Sequence, residues 1–327
     1  MKPLIATLLA FALFASPAFA EEGASRFRFV DDYGPMTPKY AREVEGLDAL
    51  DLELWRRRLL TLRNLKDVQI TRQDDQITVS LAEVPYVVIS PKVVPVIWPV
   101  GLEAIVEDWR LGGQYYDFKG WAGYVWSGLT LYEPGQASAV SRGSLTYNFL
   151  EAYTRAGVMV LPYTRVYLEG KVAGADMAGN TAIASDYGSV GGAMVTVSPF
   201  LRYDDTDHPD MPRRGTRIRA GLLLGPKMLG NSGDYLRYDG AFQEYWPLGA
   251  HDSLALGVHG GIGTGDLPLP QAYWLGAGNF LRGYVGSRFV GNQMLAVSLE
   301  LRHALWPSIL GSGLTLWSTA FVDAARS

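Results

Sequence analysis

From Pro85 to the end of the chain, apolar and polar side chains alternate in segments of roughly ten residues, the period and length of a membrane-crossing strand. Gly, Pro, Asn and Asp punctuate them. In RIRAGLLLG, Ile218, Ala220, Leu222 and Leu224 share one face, while Arg217 and Arg219 share the other. In YLRYDGAFQEYWPL, Leu236, Tyr238, Phe242 and Trp246 oppose Arg237, Asp239, Gln243 and Tyr245. In SLALGVHGGI, Leu254, Leu256, Val258 and Ile262 oppose small residues and His259. Period two is the pattern of a strand with one apolar face. About twelve or thirteen such segments are expected.

The region before Pro85 has a different texture. GLDALDLELWRRRLLTLRNL carries Leu47, Leu50, Leu54, Trp55, Leu59, Leu62 and Leu65 near the three-and-four spacing of an amphipathic helix. Its arginines, Arg56 to Arg58 and Arg63, read as a solvated face. DVQITRQ and QITVSLAEV follow as two short strands turning at Asp74 and Asp75, which makes a small α+β module over residues 21–84. Residues 1–20 have one early charge, Lys2, then an apolar stretch and an Ala-Phe-Ala ending, the pattern of a secretory signal peptide.

Composition narrows the class. Without Lys2 the chain carries 28 basic and 33 acidic residues, so nothing suggests a nucleic-acid partner. The absence of cysteine excludes a lipidated N-terminus, disulfides and thiolate metal sites. No apolar run after the signal is long enough for a spanning helix. A soluble periplasmic protein and a membrane β-barrel both remain open. A mean hydropathy of +0.04, with 37 glycines, 18 tyrosines and 9 tryptophans, suits the barrel better. Aromatic enrichment alone also fits a carbohydrate-binding sandwich. Trp98, Trp109, Trp121, Trp126, Trp246, Trp274, Trp306 and Trp317 fall mostly near segment ends, where an interfacial girdle would place them.

Candidate chemistry is sparse. His208, His251, His259 and His303 are scattered; on one strand His251 and His259 would lie about 26 Å apart, too far to share a metal. GGIGTGD, Gly260 to Asp266, lacks the Lys-Ser/Thr of a phosphate loop and reads as a hairpin turn. The cluster Asp204, Asp205, Asp207, His208 and Asp210 leaves a barrel hydrolase as a minor alternative, with a polar turn preferred. No cofactor or metal is expected, and the protein reads as no enzyme.

Three patterns carry a family resemblance. LGAGNFLRGY places Leu281, Arg282, Gly283 and Tyr284 in a glycine-rich loop. DDTDHPDMPRRGTRIRAG runs from Asp204 and Asp207 through Pro212 to Gly215. SLELR and AFVDA offer Glu300 and Asp323 on successive strands. Together these resemble the bacterial surface antigen superfamily, the BamA/TamA outer-membrane assembly factors, and more distantly the two-partner secretion transporters. The module before Pro85 is similar to the end of a polypeptide-transport-associated (POTRA) domain.

The resemblance implies a mainly β fold: a transmembrane antiparallel β-barrel over residues 85–327 in the outer membrane, after one POTRA-like domain in the periplasm. It implies that Arg282 folds into the lumen between Glu300 and Asp323, with Gly283 and Tyr284 completing the loop signature, as a structural lock. It implies lipid and client polypeptides as partners, in protein insertion or translocation. A passive pore or surface antigen of the same fold is the alternative. The family barrel has sixteen strands, so the last strands are expected to be missing and the sequence is read as a fragment; only one POTRA-like domain fits before the barrel.

Overall fold

A computed structural model describes residues 27–31, 33–44, 51–60, 62, 64–73, 76–93, 100–111, 114–132, 141–179, 192–207, 211–249, 251–276, 280–284, 288–306 and 316–327. The signal segment 1–20, the turn residues Asp74 and Asp75, Trp98, His208 and Asp210 lie outside the described residues.

The N-terminal module comprises β1 (Phe27–Phe29), α1 (Thr37–Val44), α2 (Leu52–Leu59), β2 (Leu65–Gln73) and β3 (Gln76–Glu83). The strands form one sheet in the order β1-β3-β2, with β1 parallel and β2 antiparallel to β3. Alternation in β3 drives Ile77, Val79 and Leu81 into a core with Tyr33, Met36, Tyr40, Val44, Trp55 and Leu59. The expected helix is described only over Leu52–Leu59; residues 45–50 are not described. The sequence pattern did not anticipate α1, a short helix with Pro38 in its first turn, which buries Tyr40 and Val44 one turn apart.

Among the described residues eleven further strands form one antiparallel sheet. They are β4 (Tyr86–Val93), β5 (Val100–Leu111), β6 (Gln114–Tyr132), β7 (Ser141–Leu161), β8 (Thr164–Gly179), β9 (Gly192–Asp204), β10 (Gly215–Gly225), β11 (Tyr235–Pro247), β12 (Asp252–Gly265), β15 (Gln293–Trp306) and β16 (Leu316–Arg326). Neighbours in sequence are neighbours in space, except that β12 pairs with β15. Between those two, β13 (Tyr273–Leu275) and β14 (Phe289–Gly291) pair only with each other. Among the described residues thirteen strands thus follow Pro85, the number the alternation suggests, eleven of them in the large sheet and two in the separate pair. Among the described residues β4 and β16 are its edges.

Register aligns the alternation across the whole sheet. Arg165, Arg202, Arg219, Ala241, His259 and Ala296 form one cross-strand row, and Lys119, Arg155, Glu169 and Ser198 another on the same polar face. The opposite face carries apolar side chains that no described residue covers: Leu295, Val297, Leu299 and Leu301 are 56%, 38%, 45% and 47% exposed. An apolar face of this extent is stable where the surroundings are lipid and a liability in water.

The glycine run from Gly260 to Gly265 is part of β12, which corrects the expectation of a hairpin turn. On the polar face the glycines leave room for the loop that follows. A Cβ on Gly261 would lie 2.1 Å from the Tyr273 hydroxyl, and one on Gly263 would lie 2.5 Å from Leu267 Cδ2. The tryptophans also divide. Trp109 and Trp246 are exposed, whereas Trp121 is buried and stacks on Tyr153 at 6.2 Å. Trp121 shares its register row with Glu103 and Tyr153, so it belongs to the polar face and not to an outward girdle.

The module packs against the sheet end that holds the β5–β6, β7–β8 and β9–β10 connections. Tyr115 and Met159 complete its core. Glu83 accepts hydrogen bonds from the hydroxyls of Tyr40 and, at 2.6 Å, Tyr115, and pairs with Arg110 at 3.2 Å.

Candidate functional site

The loop between β12 and β15 folds back over the polar face. Leu281 is buried, and the Tyr284 amide donates to the Leu281 carbonyl at 3.1 Å, closing a turn that presents Arg282 to β15 and β16. Phe280, at φ 68°, takes a conformation rare for a side-chain-bearing residue, and its ring lies 4.4 Å from that of His259.

Arg282 spends its donors on three residues. Nε donates to Asp323 Oδ2 at 2.9 Å, and Nη2 to Asp323 Oδ1 at 2.7 Å. Nη1 donates to Glu300 Oε1 at 2.6 Å, and Nη2 also reaches Ser298 Oγ at 2.8 Å. The Arg282 backbone amide donates to Asp323 Oδ2 at 3.0 Å, so one carboxylate holds both the side chain and the main chain of the loop. Ser298 Oγ donates to Asp323 Oδ1 at 2.8 Å, and the guanidinium lies 3.7 Å from the centre of the Phe321 ring. The planar fork matches a carboxylate with two parallel bonds, a geometry an ammonium does not reproduce.

Strand register explains the cluster. Ser298 faces Asp323 and Glu300 faces Phe321 across the β15–β16 pair, and all four point to the polar side. The hydrogen bonds that Arg282 donates to Asp323, ahead of the opposing cost of burial, make the guanidinium hold its proton more tightly than usual. Glu300 is shared: its second oxygen takes Arg302 Nε at 2.7 Å. Of the other loop residues, Gly283 is exposed and a Cβ added there would meet nothing within 4 Å, and the exposed Tyr284 packs edge-on to Phe289 at 5.4 Å. Neither enters the cluster. Arg288 is buried against Phe289.

The β9–β10 hairpin is a second, separate cluster. Asp204 accepts from Arg217 Nε at 2.9 Å and Thr206 Oγ1 at 2.6 Å, and pairs with Arg202. Asp207 Oδ1 accepts the amides of Arg213 at 2.9 Å and Arg214 at 3.2 Å, fixing the turn. Pro212 is buried. Gly215 has φ +108°, and a Cβ there would stand 2.7 Å from the Asp205 carbonyl, so the position needs glycine. The hairpin also reaches the N-terminal module through Arg42, which pairs with Asp205 at 3.7 Å.

Two contributors escaped sequence reasoning. Ser298 was legible only as a polar-face serine, without a partner. The base of the loop is tied to β11: Tyr273 donates to the Tyr238 carbonyl at 2.9 Å and Asp239 Oδ1 at 3.0 Å, and Arg237 Nη1 reaches the Gln271 carbonyl at 2.8 Å. Arg237 and Asp239 were placed on the polar face by alternation, but nothing in the sequence linked them to Tyr273. Among the described residues no group of three or more His, Asp or Glu side chains could hold a metal.

No curated protein matches the chain. Among solved structures it is similar to BamA from Haemophilus ducreyi lacking POTRA domains 1–3, at 16% identity, covering 91% of this chain and 70% of that one with a TM-score of 0.46. It is also similar to CdiB from Escherichia coli, at 12% identity, covering 92% and 69% with a TM-score of 0.42. The family model described as the Omp85 superfamily domain matches residues 107–327, about two thirds of the sequence and the whole of the loop cluster and the hairpin. The chain therefore belongs to the Omp85 superfamily, the outer-membrane β-barrel proteins of protein insertion and secretion.

Proposed function

We propose that the protein is an assembly or translocation factor of the BamA/TamA type. In this reading residues 1–20 direct export, the module of residues 21–84 works in the periplasm as a POTRA-like domain, and the strands from residue 85 onward belong to a closed transmembrane barrel whose polar face is the lumen. The clients are unfolded polypeptides, and the action is strand pairing without covalent chemistry, so the protein is no enzyme. Lateral opening of the barrel seam beside the first strand, β4, would expose unpaired backbone groups to which a client strand can add.

The observation that supports this best is the Arg282 cluster on the polar face of a sheet whose other face is exposed and apolar. Arg282 acts there as a structural lock between loop, β15 and β16. Breaking a partly buried pair of this kind costs about 3 kcal/mol. Arg282→Ala is expected to weaken heat-modifiable migration on gels, and Arg282→Lys to restore it only in part, since lysine loses the fork. Depletion of the protein followed by outer-membrane proteomics tests the function: loss of many barrel proteins is expected. Loss of small-solute uptake alone would replace this reading with the passive pore.

A further inference from the structure

On the polar face most cations have a carboxylate partner. Arg165 pairs with Asp117 at 3.0 Å, Arg217 with Asp204 at 2.9 Å, Arg237 with Asp239 at 3.0 Å and Arg302 with Glu300 at 2.5 Å. Arg155 and Arg219 differ. Among the described residues neither forms an ion pair, and both lie over the same ring, Phe200, at 5.9 and 4.5 Å from its centre. Arg155 also lies 5.3 Å from the centre of Tyr167.

The ring system between them is built, not incidental. Tyr167 and Phe200 stack at 4.7 Å with 16° between planes. Each covers a glycine on the next strand: a Cβ on Gly157 would stand 2.3 Å from the Tyr167 ring, and one on Gly221 would stand 2.6 Å from Phe200 Cβ. The Tyr167 hydroxyl is tied to Asp117 at 2.7 Å, which fixes the stack. A rigid aromatic floor thus carries two guanidiniums that form no ion pair among the described residues, with Arg219 exposed. Guanidiniums held on π faces keep their in-plane donors free for an oxyanion. The competing acids are Glu169, the register partner of Arg155, and Asp239, which Arg237 already holds at 3.0 Å; neither forms an ion pair with Arg155 or Arg219 among the described residues.

We propose that Arg155 and Arg219, set on the Tyr167–Phe200 stack, form a binding site for an oxyanion, a carboxylate or a phosphate, on the polar face. The site rests on the reading of that face as a water-filled interior. It would hold an anionic group against the wall of the passage, away from the Arg282 lock.

The chain has no cysteine, so one introduced thiol is unique. Ala241 is the register partner of Arg219, which places Ala241→Cys beside the site. Neutral, anionic and cationic methanethiosulfonate reagents are applied to this variant of the full chain in zwitterionic micelles, with rates normalised to a free thiol. The anionic reagent is expected to react on the order of tenfold faster than the cationic one, as a focused positive field dictates. Adding Arg155→Gln and Arg219→Gln should abolish the preference while gel migration stays native, and Glu169→Gln should increase it. Inorganic phosphate and acetate, titrated separately, should slow the anionic reagent; the stronger protector identifies the oxyanion. Reaction with the neutral reagent without anion preference, or a preference that survives the double substitution, overturns the site alone. Failure of even the neutral reagent to react overturns the water-filled interior, and the site with it.

Discussion

The N-terminal module and the large sheet use the same period-two alternation to opposite ends. In β3, Ile77, Val79 and Leu81 are buried beneath two helices. In β15, Leu295, Val297, Leu299 and Leu301 stand exposed, and the polar partners Ser298 and Glu300 make the contacts. Backbone pairing treats the two alike. What differs is the medium each apolar face meets: the module must hide its own from water, while the sheet needs no cover where lipid lies outside. The specificity of the sheet is therefore written in its polar side, in charge pairs and hydrogen bonds, whereas that of the module is written in packing.

The largest effect expected to sharpen this contrast is Trp55→Ala. Trp55 is buried beside Leu59 and Val68, and emptying such a site costs about 4 kcal/mol. Hydrogen exchange should show β2 and β3 opening while β10 to β12 remain protected. Equal loss of protection in both regions would show that they fold as one unit.

Next comes Leu299→Lys. Near the middle of a bilayer an outward lysine costs about 3 kcal/mol. Urea unfolding in phospholipid vesicles should record that loss, and the buried apolar partner case, Val79→Lys, should fail in vesicles and in water alike. If Leu299→Lys leaves stability unchanged in vesicles, the exposed face does not meet lipid and the contrast breaks.

Gly215→Ala is expected to cost about 2 kcal/mol, from the positive φ and the crowding against the Asp205 carbonyl. The damage falls on the hairpin that joins the two regions through Arg42 and Asp205. Limited proteolysis should cut within residues 205–215 in the variant and spare the wild type.

The same contrast explains what the sequence made legible. Alternation placed Arg217, Arg219, Arg237, Asp239 and His259 on one face because a period of two needs no knowledge of neighbours. The same period of two in MLAVSLELR puts Glu300 opposite Leu295, Val297, Leu299 and Leu301. Pairing of Arg282 with those acids came from resemblance, since register between a loop and two strands is long-range information absent from local pattern. Ser298, Tyr273 and the room left by Gly261 were illegible on that ground. The glycine run of β12 misled because glycine marks turns more often than it marks space for a ring folded in from 12 residues away. In the module, α1 was missed because it is a single eight-residue segment with few apolar positions, too short for its period to stand out; tertiary burial of Tyr40 and Val44 holds it.

The smallest effect, and the most selective, is alkaline. Tyr40 is buried in the module and donates to Glu83 and accepts from Asn64 Nδ2 at 2.6 Å. Burial first, then the Glu83 charge, push its pKa well above the ordinary tyrosine value of 10.0. In the unfolded chain the same phenol ionises near pH 10, so the folded state keeps a proton that the unfolded state releases. Stability from this group is complete below that pH and declines as pH rises beyond it, by about 1.4 kcal/mol per unit. Between pH 10 and 11 the exchange protection of β3 amides should fall by about fivefold while that of β11 and β12, far from Tyr40, falls less. Tyr40→Phe removes the titrating group and should flatten the β3 response, leaving the smaller share of Tyr33, which burial also raises. A β3 response as steep in Tyr40→Phe as in the wild type would show that alkaline loosening begins elsewhere, and that the packed module is not the part of the molecule that feels the phenol's burial.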